Sequence, residues 1–582
     1  MAAVAAVAAA VWTSPPGRRA ARSRSRWGTS TKRWPSADTA TARRSPDALS
    51  VEAADEAGGL VVTMDSLVSR PVSADQLGAA TAAHSLFQVE WAEVSQEPEP
   101  SPLWAPVTTP DDVALLPGNG PAVAVMEALG GDEEDAVLTL TSQVLAVLQA
   151  WLAEAALEES RLVVVTRGAV AAGGEDMVTD PAAAAVWGLV RAAQSENPDR
   201  IVLLDTDPTA DTAPDTTPDT SPDAVLGAVL ACGEPQVAVR GGALLLPRLG
   251  RVAGHVTDGP AVFGPEGTVL ISGAGSLGAL VARHLVTRHG VRSLLLASRS
   301  GTDAEGVPEV IAELTEQGAT VSAVACDVSD RDQVKALLAA VPQEHRLTGV
   351  VHTAGVFDDG LIAALSPERL ERVFAPKVDA VRHLDELTRD LDLDAFIVFS
   401  SVAGLSGGAG QGSYAAANAF LDGLMASRRA AGLPGLSLAW GLWEESLGMA
   451  ARLSSVDRAR ASRGGVRAIA AAEGMALFDA AAGSGQSLLV PIKLDLRGLR
   501  ADTASGGGVP PLLRGLVRAG RQPARAADTG DGHRRLSARV AGLAAAEQEA
   551  FLVDLVRAEA AVVLRFPGRP GLGPGGSVRP GS

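Results

Sequence analysis

The feature that most constrains the fold is a glycine-rich turn between a short apolar strand and a helix. The sequence predicts a strand over 268–272, the turn Gly273-Ala-Gly-Ser-Leu-Gly278 and a helix over 279–288. Glycines let such a turn tighten and let backbone amides at a helix N-terminus approach a pyrophosphate, although a plain tight turn also uses glycines. Gly-x-Gly-x-x-Gly in this context predicts a dinucleotide-binding Rossmann unit. Its candidate phosphate-binding residues are Gly273, Gly275, Ser276, Leu277 and Gly278.

The strands that follow end in residues suited to the rest of the cofactor. The strand over 293–297 ends in Ser298 and Arg299, and Arg299 follows Gly278 by 21 residues. An acidic residue at that distance holds the ribose hydroxyl of NAD, whereas an arginine pairs with the 2′-phosphate of NADP, so the sequence predicts NADPH. A solvated arginine at a strand end is the alternative. Later strand ends supply Asp327 and Val328, which could bracket an adenine, and the small residues Thr353, Ala354 and Gly355.

Buried strands alternate with helical patterns through most of the chain. In the first half, helices over 139–156 and 182–194 alternate with apolar strands over 161–166 and 201–205. Helices between buried strands indicate a parallel sheet. This half has no glycine-rich phosphate loop, so it is predicted to be structural. The predicted fold class is α/β with two Rossmann-like subdomains, the second a doubly wound parallel sheet that binds the cofactor.

Composition limits the partners. The 582 residues carry a formal net charge of −18, which disfavours nucleic acid and anionic membranes as partners. Cys232 and Cys326 have no metal-ligand spacing and cannot form a disulfide framework, so we expect no metal and a cytoplasmic location. No apolar run reaches the roughly 20 residues that span a bilayer, which predicts no membrane contact.

A second group of candidates surrounds Tyr414, the only tyrosine in the chain. An apolar strand over 396–401 ends in two serines, and after a glycine-rich turn Tyr414 opens an alanine-rich helix, with Asn418 one turn along the same face. Lys377 stands at the start of an earlier predicted helix. Singly, such residues are more often caps, turns or solvated charges. Together with Ser401, at these separations behind a nucleotide loop, they predict an active site.

The order of these motifs resembles the ketoreductase domains of modular type I polyketide synthases, in the short-chain dehydrogenase/reductase superfamily. The resemblance covers about residues 85–500 and implies that the first Rossmann-like subdomain is truncated. It implies NADPH-dependent reduction of a β-ketoacyl thioester to the β-hydroxyacyl thioester. The implied partners are an acyl carrier protein, which bears the chain on phosphopantetheine, and neighbouring synthase domains.

The resemblance also implies a role for each catalytic candidate. Tyr414 gives the proton, and Ser401 donates a hydrogen bond to the carbonyl. Lys377 is the cation expected to lower the pKa of the phenol from about 10. Most of the superfamily has this lysine four residues after the tyrosine. Here that place is Asn418, implied to support a water-linked proton route, and the polyketide branch takes its lysine from the earlier helix.

Other residues are implied to control the substrate. Phe357-Asp-Asp359 occupies the place of the Leu-Asp-Asp signature of B-type ketoreductases, which form the D-hydroxyl, with leucine replaced by Phe357 and Asp358 retained. No tryptophan occurs over 396–401, where the opposite class carries one. An ordinary acidic loop is the alternative. The remaining implied substrate residues are Gln411, Trp440, Gly441 and Met449.

The predicted domain boundaries place flanking synthase sequence around the ketoreductase. Residues 1–84 are predicted to be a disordered N-terminus and a linker like that after a dehydratase, 85–262 the structural subdomain and 263–500 the catalytic one. Residues 501–535 are predicted to be a linker. Residues 536–582 resemble the truncated start of an acyl carrier protein, so the chain is expected to be a fragment.

Two departures from the family leave a second hypothesis open. The family usually reads Thr-Gly-Gly-Thr-Gly-x-Leu-Gly, whereas Ser272-Gly-Ala-Gly-Ser-Leu-Gly278 is one residue shorter, and Ser300 replaces a second arginine after Arg299. A shortened loop could displace the backbone donors for the pyrophosphate. The alternative is therefore a catalytically silent ketoreductase that acts as a structural module. A free-standing dehydrogenase for a small alcohol is disfavoured by the preceding structural subdomain.

Overall fold

The computed structural model describes residues 39–44, 49–54, 60–67, 85–95, 99–116, 122–131, 133–173, 177–208, 221–252, 262–342, 344–444, 447, 465–504 and 508–517. Strands β1 (Thr39–Arg44), β2 (Leu49–Ala54) and β3 (Leu60–Leu67) form a separate antiparallel sheet. They lie within residues 1–84, where the assignment to a disordered N-terminus and a linker stays a prediction. The predicted linker over 501–535 is described at residues 501–504 and 508–517, whereas the carrier-like segment over 536–582 and Met449 lie outside the described residues.

The first subdomain alternates strands with helices, as the sequence predicts. Its strands from Trp104–Pro106 to Gln236–Arg240 are parallel. The middle strands, Val123–Glu127, Arg161–Arg167 and Ile201–Thr206, are almost continuously buried because helices cover the sheet. Its elements are β4 (Leu86–Val94), β5 (Trp104–Pro106), α1 (Pro110–Leu115), β6 (Val123–Glu127), α2 (Ala136–Ala153), β7 (Arg161–Arg167), α3 (Pro181–Glu196), β8 (Ile201–Thr206), α4 (Pro222–Ala231), β9 (Gln236–Arg240) and β10 (Ala243–Arg251).

The second subdomain has the doubly wound arrangement that the glycine-rich turn predicts. Its central strands are parallel, with Thr268–Ser272 between Ser293–Ser298 and Leu347–His352. Its elements are β11 (Thr268–Ser272), α5 (Ser276–His289), β12 (Ser293–Ser298), α6 (Val307–Glu316), β13 (Thr320–Ala325), α7 (Arg331–Ala339), β14 (Leu347–His352), α8 (Pro367–Phe374), α9 (Ala380–Thr388), β15 (Ala395–Ser401), α10 (Ala403–Ser406), α11 (Gly412–Ala430), β16 (Leu436–Trp440), β17 (Val466–Arg467), α12 (Ala471–Ala482), β18 (Leu488–Pro491), β19 (Lys493–Leu494) and α13 (Leu496–Ala504).

One continuous sheet joins the two subdomains. Its order is β13-β12-β11-β14-β15-β16-β18-β4-β10-β9-β8-β7-β6-β5, and β4 pairs antiparallel with both β18 and β10. The strand order reverses between β11 and β14, and in open α/β sheets ligands bind in the crevice at such a point. The predicted α/β fold class is confirmed. The structure adds that β4 joins the sheets of the two subdomains.

Helices α3 and α11 fix the subdomains to each other. A Cβ at Gly188 would lie 2.1 Å from the Ala415 carbonyl oxygen, and a Cβ at Gly423 would lie 2.7 Å from Cβ of Ala184. Glycine is therefore required for the two helices to approach this closely. Because α11 also carries Tyr414, the first subdomain directly supports the helix of the candidate active site.

Among the described helices, α2 is long and apolar enough by composition to cross a membrane. Eight of its side chains are buried in the core of the first subdomain, including Trp151. Core helices of globular domains pass the same test, so the helix is weak evidence for a membrane span.

Candidate active site

Lys377 is delivered by an irregular turn in a long helical segment. The sequence predicts two helices, over 367–373 and 378–391, with Lys377 at the start of the second. In the structure the π-helical residues Ala375–Asp379 connect α8 directly to α9, and Lys377 lies within them. Single π turns inside α-helices are frequent at functional sites. This one buries the lysine under the carboxyl edge of the sheet.

The Lys377 ammonium is buried and hydrogen-bonded. Its Nζ donates to the Phe399 carbonyl oxygen at 3.1 Å and to Oδ1 of Asn418 at 2.9 Å. A Cβ at Gly355 would lie 2.7 Å from Cε of Lys377, so Gly355 leaves the space that the lysine occupies. Burial lowers the pKa of Lys377 to about 8, and the buried Asp422 carboxylate opposes that change.

Asn418 connects the lysine to the helix of Tyr414. Its Nδ2 donates to the Tyr414 carbonyl oxygen at 2.7 Å, one turn back along α11, while its Oδ1 accepts from Lys377. The main-chain oxygen of Asn418 accepts from Oγ of Ser400 at 3.2 Å. Strand β15, helix α11 and the π turn are therefore held together through one buried asparagine.

The phenol of Tyr414 is buried beside the second serine of β15. Hydrogen bonds with the Ser401 and Asn418 side chains favour its ionised form, yet desolvation is larger and raises the pKa of Tyr414 to about 12. Nζ of Lys377 lies 5.4 Å from the centre of the phenol ring. Burial thus outweighs the favourable contacts in this structure, and the expectation that Lys377 lowers the pKa of this phenol stays a prediction.

Ser401 ends β15 with its hydroxyl at the site. Its Oγ accepts a hydrogen bond from the Ala403 amide at 3.2 Å, which leaves the O–H able to donate. Strand β15 pairs with β16 through Ser401 and Trp440. The Ser401 side chain also forms a hydrogen bond with the phenol of Tyr414.

Asp422 belongs to this cluster and was missed by the sequence-based reasoning. It lies two turns after Tyr414 on α11, is buried, and accepts from Oγ of Ser437 at 2.6 Å. Burial raises the pKa of Asp422 to about 7, opposed by hydrogen bonds from Ser437 and Ser400 and by the charges of Arg191 and Lys377. The sequence signal that could have identified Asp422 is an acid two turns after Tyr414 in a helix that is largely apolar.

The glycine turn is short and closely packed. Only Gly273, Ala274 and Gly275 separate β11 from α5, so the helix begins at Ser276 instead of the predicted Ala279. Gly273 has a φ of +102°, and a Cβ there would lie 2.6 Å from the Ala354 amide nitrogen. Oγ1 of Thr353 donates to the Gly273 carbonyl oxygen at 2.8 Å. Residues that follow β14 therefore hold the turn.

The turn fits a dinucleotide pyrophosphate. Gly275 is the N-cap of the 14-residue α5 and has no side chain to occupy the first amides of the helix. A Cβ at Gly275 would meet nothing within 4 Å, whereas one at Gly278 would lie 1.9 Å from the Gly273 carbonyl oxygen. An uncapped helix N-terminus above an open space is suited to an anion. Leu277 lines the adjoining cavity.

The remaining cofactor candidates lie at the carboxyl ends of β12 and β13. Ser298 ends β12 and Arg299 follows it with an exposed side chain. Asp327 follows β13, and its Oδ1 accepts from the Ser329 amide at 3.0 Å and from Oγ of Ser329 at 2.7 Å. Val328 is buried in the core, so the aspartate is the more accessible member of that pair.

The substrate candidates after β14 form a braced loop. The Phe357 ring packs edge-on against Tyr414 with 4.5 Å between centroids. Oδ1 of Asp358 accepts from Nε and Nη2 of Arg369 at 2.9 and 2.6 Å, and the Asp359 carbonyl oxygen also accepts from Nη2, at 2.7 Å. Asp358 thus forms an ion pair that holds the loop against Arg369 of α8, and it is not a solvated acid.

A cavity of about 740 Å³ brings many of the predicted residues together. Trp440 is largely buried by Phe399 and Trp443, at centroid distances of 5.3 and 4.6 Å, but still borders the cavity. The cavity extends to Arg191 on α3 of the first subdomain. The predicted site residues that line it are Leu277, Thr353, Phe357, Lys377, Ser401, Gln411, Tyr414, Trp440 and Gly441. The cofactor candidates at the ends of β12 and β13 do not line the cavity, and neither does Asn418.

One described cluster has the donor atoms of a metal site. Nε2 of His284 and Nε2 of His289 lie 2.7 and 2.8 Å from Oδ1 of Asp479. These are hydrogen-bond distances, so the imidazoles and the carboxylate can satisfy one another without an ion. The cluster ties the C-terminal end of α5 to α12. The expectation of no metal stays a prediction.

A serine, tyrosine, lysine and asparagine at the carboxyl edge of a Rossmann sheet define a short-chain dehydrogenase/reductase. Two family models match, the KR domain over residues 267–445 and the Rossmann fold domain of the polyketide synthase extender module SpnB over 89–249. A solved A1-type ketoreductase is 33% identical, with a TM-score of 0.64 over 74% of this chain and 98% of that one. The chain belongs to the ketoreductases of modular polyketide synthases.

Long synthases are also similar to this chain. It is 45% identical over 550 residues to polyketide synthase GfsA of Streptomyces halstedii, with 90% of this chain and 7% of that protein covered. It is 46% identical over 548 residues to the spectinabilin polyketide synthase system protein NorA' of Streptomyces orinoci, with 90% and 15% covered. The chain therefore spans a small part of these relatives. The resemblance drawn from the motifs is confirmed.

Proposed function

We propose that the chain is an NADPH-dependent β-ketoacyl-[acyl carrier protein] reductase that forms the β-hydroxyacyl thioester. The observation that carries this proposal is the buried chain of contacts from Lys377 through Asn418 to Tyr414, with Ser401 beside the phenol. It stands where the strand order reverses, next to a glycine turn that fits a pyrophosphate.

The side chains divide the work of ketone reduction. NADPH, when bound by the glycine turn and Arg299, supplies the hydride. Ser401 donates a hydrogen bond to the carbonyl oxygen and stabilises the negative charge that develops there. Tyr414, kept protonated by burial, gives its proton to that oxygen. The charge of Lys377 stabilises the phenolate that remains, and Asn418 holds the lysine in place.

The product is proposed to be the D-hydroxyl of a B-type ketoreductase. Support comes from the Phe357-Asp-Asp359 loop against Tyr414 and from the absence of tryptophan over 396–401. The similar solved structures include A1-type and C2-type ketoreductases, so general likeness does not select the type. Chiral analysis of the reduced thioester tests the proposal, and a mainly L-hydroxyl product would contradict it.

The proposed partners follow from the chemistry of the substrate. An acyl carrier protein would deliver the β-ketoacyl chain on phosphopantetheine, and neighbouring synthase domains would flank the chain, as in the multidomain relatives. We propose a cytoplasmic location, where NADPH is available. Nucleic acid and membrane are not expected as partners because the net charge is −18.

NADPH binding by the full chain is the first test. We expect a fluorescence titration to show micromolar binding and a β-ketoacyl N-acetylcysteamine thioester to be reduced with consumption of NADPH. A folded sample that binds no NADPH would overturn the proposed enzymatic function. It would leave the alternative of a catalytically silent structural module, which the shortened turn before Gly278 favours. Reduction of simple ketones but of no thioester would instead support a free-standing dehydrogenase.

Arg299→Ala is expected to remove the preference for NADPH. The guanidinium follows β12, where it can pair with the 2′-phosphate, and a charge-assisted contact of that kind contributes about 1.5–3 kcal/mol, or roughly 10- to 100-fold in affinity. NADH binding should change little, since NADH lacks the phosphate. Parallel titrations with both cofactors measure this. Equal weakening of both would contradict the assignment.

Reduction is expected to slow as the pH rises through about 8. Burial lowers the pKa of Lys377 to about 8, so the ammonium is present below that pH and is lost above it, whereas Tyr414, at about 12, stays protonated. The pH profile of kcat measures this. Asp422→Asn removes the anion that favours the charged lysine, so its alkaline limb should move to lower pH. A flat profile to about 10, the ordinary range of lysine, would contradict the role of Lys377.

A further inference from the structure

The first subdomain contacts the active site through one carboxylate at the end of α3. Oε2 of Glu196 accepts from the Ile362 amide at 2.9 Å, and Oε1 accepts from the Gly410 amide at 2.9 Å. These amides belong to two segments of the catalytic subdomain that are 48 residues apart in sequence. One side chain of the subdomain without a phosphate loop therefore bridges two parts of the other.

Both segments border the catalytic tyrosine. The 357 loop is defined here as residues 353–362 and the 407 loop as residues 407–411. The Gly360 amide donates to the Gly410 carbonyl oxygen at 2.7 Å, which pairs the loops directly. Phe357 of the first loop packs on Tyr414, and Gln411 of the second precedes the helix of Tyr414 and lines the same cavity. Glu196 stands where the two loops meet.

Two other side chains of the first subdomain hold the neighbouring backbone. Nε2 of Gln149 donates to the carbonyl oxygens of Ile362 and Leu365 at 2.8 and 2.9 Å. Nη1 of Arg191 donates to the Gly404 carbonyl oxygen at 2.7 Å. Among these contacts, only that of Glu196 joins both loops and uses a carboxylate, and charge-assisted hydrogen bonds are about twice as strong as neutral ones.

We propose that Glu196 is a positioning residue for the reduction, which sets the separation of the 357 and 407 loops and thereby the orientation of the β-ketone at Tyr414. The inference rests on the proposed function. The first subdomain then determines substrate orientation as well as stability. A carboxylate is required because both partners are N–H donors, and an amide in its place would turn its own donor toward one of them.

Glu196→Gln in the full chain tests the inference. We expect kcat/KM for a β-ketoacyl N-acetylcysteamine thioester to fall about 10-fold. A displacement of about 1 Å can lower the rate roughly 100-fold, and the loops should shift by less than that. The loss should come mainly from a higher KM, and the share of the minor hydroxyl epimer should increase. The Kd for NADPH should be unchanged because the two amides that Glu196 accepts from, those of Ile362 and Gly410, do not belong to the glycine turn. The matched control is Glu133→Gln, an exposed acid of the same subdomain.

Hydrogen exchange separates this inference from the proposed function. In Glu196→Gln the peptides that contain Ile362 and Gly410 should exchange faster than in wild type, while Glu133→Gln leaves them unchanged, whether or not the protein reduces anything. Inactive wild type would overturn the proposed function alone. Unchanged exchange, or an active variant with the wild-type KM and epimer ratio, would overturn the role of Glu196. Rescue of the epimer ratio by Glu196→Asp, with partial rescue of KM, would support it.

Discussion

Tyr414→Phe is expected to lower kcat for ketone reduction by about 10²- to 10⁴-fold, the usual contribution of a positioned general acid. The substitution removes one oxygen and retains the ring, so the packing of Phe357 against it should persist. Hydride transfer to the ketone would then leave an alkoxide with no adjacent proton donor. Reduction is followed by NADPH consumption with a β-ketoacyl thioester, and NADPH affinity should stay within about twofold, since the phenol lies outside the phosphate turn.

A single tyrosine allows a direct check of the same residue. Because Tyr414 is the only tyrosine in the chain, the difference in absorbance between wild type and Tyr414→Phe reports this phenol alone. Burial raises the pKa of Tyr414 to about 12, so no tyrosinate should form near pH 10, where a free phenol is half ionised. Ionisation near neutral pH, or a phenylalanine variant that reduces at the wild-type rate, would contradict the assigned role.

Local patterns predicted the parts of the fold that are determined locally. The run of buried residues in β11 and the glycine turn after it specify a strand and a helix, and both are present within a few residues of the predicted bounds. The helix begins earlier than predicted because Ser276 continues directly from the shortened turn. Ser401, Tyr414 and Asn418 could be placed together because carboxyl ends of parallel strands share one edge of a sheet.

Long-range contacts could not be derived from local patterns. The antiparallel pairing of β4 with both β18 and β10, which joins the sheets, is one such contact. The π turn that buries Lys377 replaced a predicted break between helices. Asp422 and Glu196 act through residues far away in sequence, so no spacing rule identifies them. The pKa of Tyr414 depended on a competition between burial and hydrogen bonds that only the packed structure determines.

Gly278→Ala is expected to destabilise the protein and to weaken NADPH binding by at least about 10-fold. The new Cβ would lie 1.9 Å from the Gly273 carbonyl oxygen, so backbone must move at the point where the turn crosses the helix. Alanine is otherwise the better helix former by about 1 kcal/mol, so a lower melting temperature would report the clash and not helix propensity. Thermal melts and fluorescence titrations with NADPH measure the two effects.

Gly275→Ala is the matched control because it separates the fold of the turn from its approach to the cofactor. Gly275 has a φ of −73°, which alanine adopts readily, and its Cβ would meet nothing within 4 Å. The melting temperature should therefore be unchanged, while NADPH should bind more weakly if its pyrophosphate occupies the open space above the helix. Unchanged NADPH affinity in Gly275→Ala would place the pyrophosphate elsewhere. Wild-type stability and affinity in Gly278→Ala would show that the shortened turn tolerates a side chain at its tightest crossing.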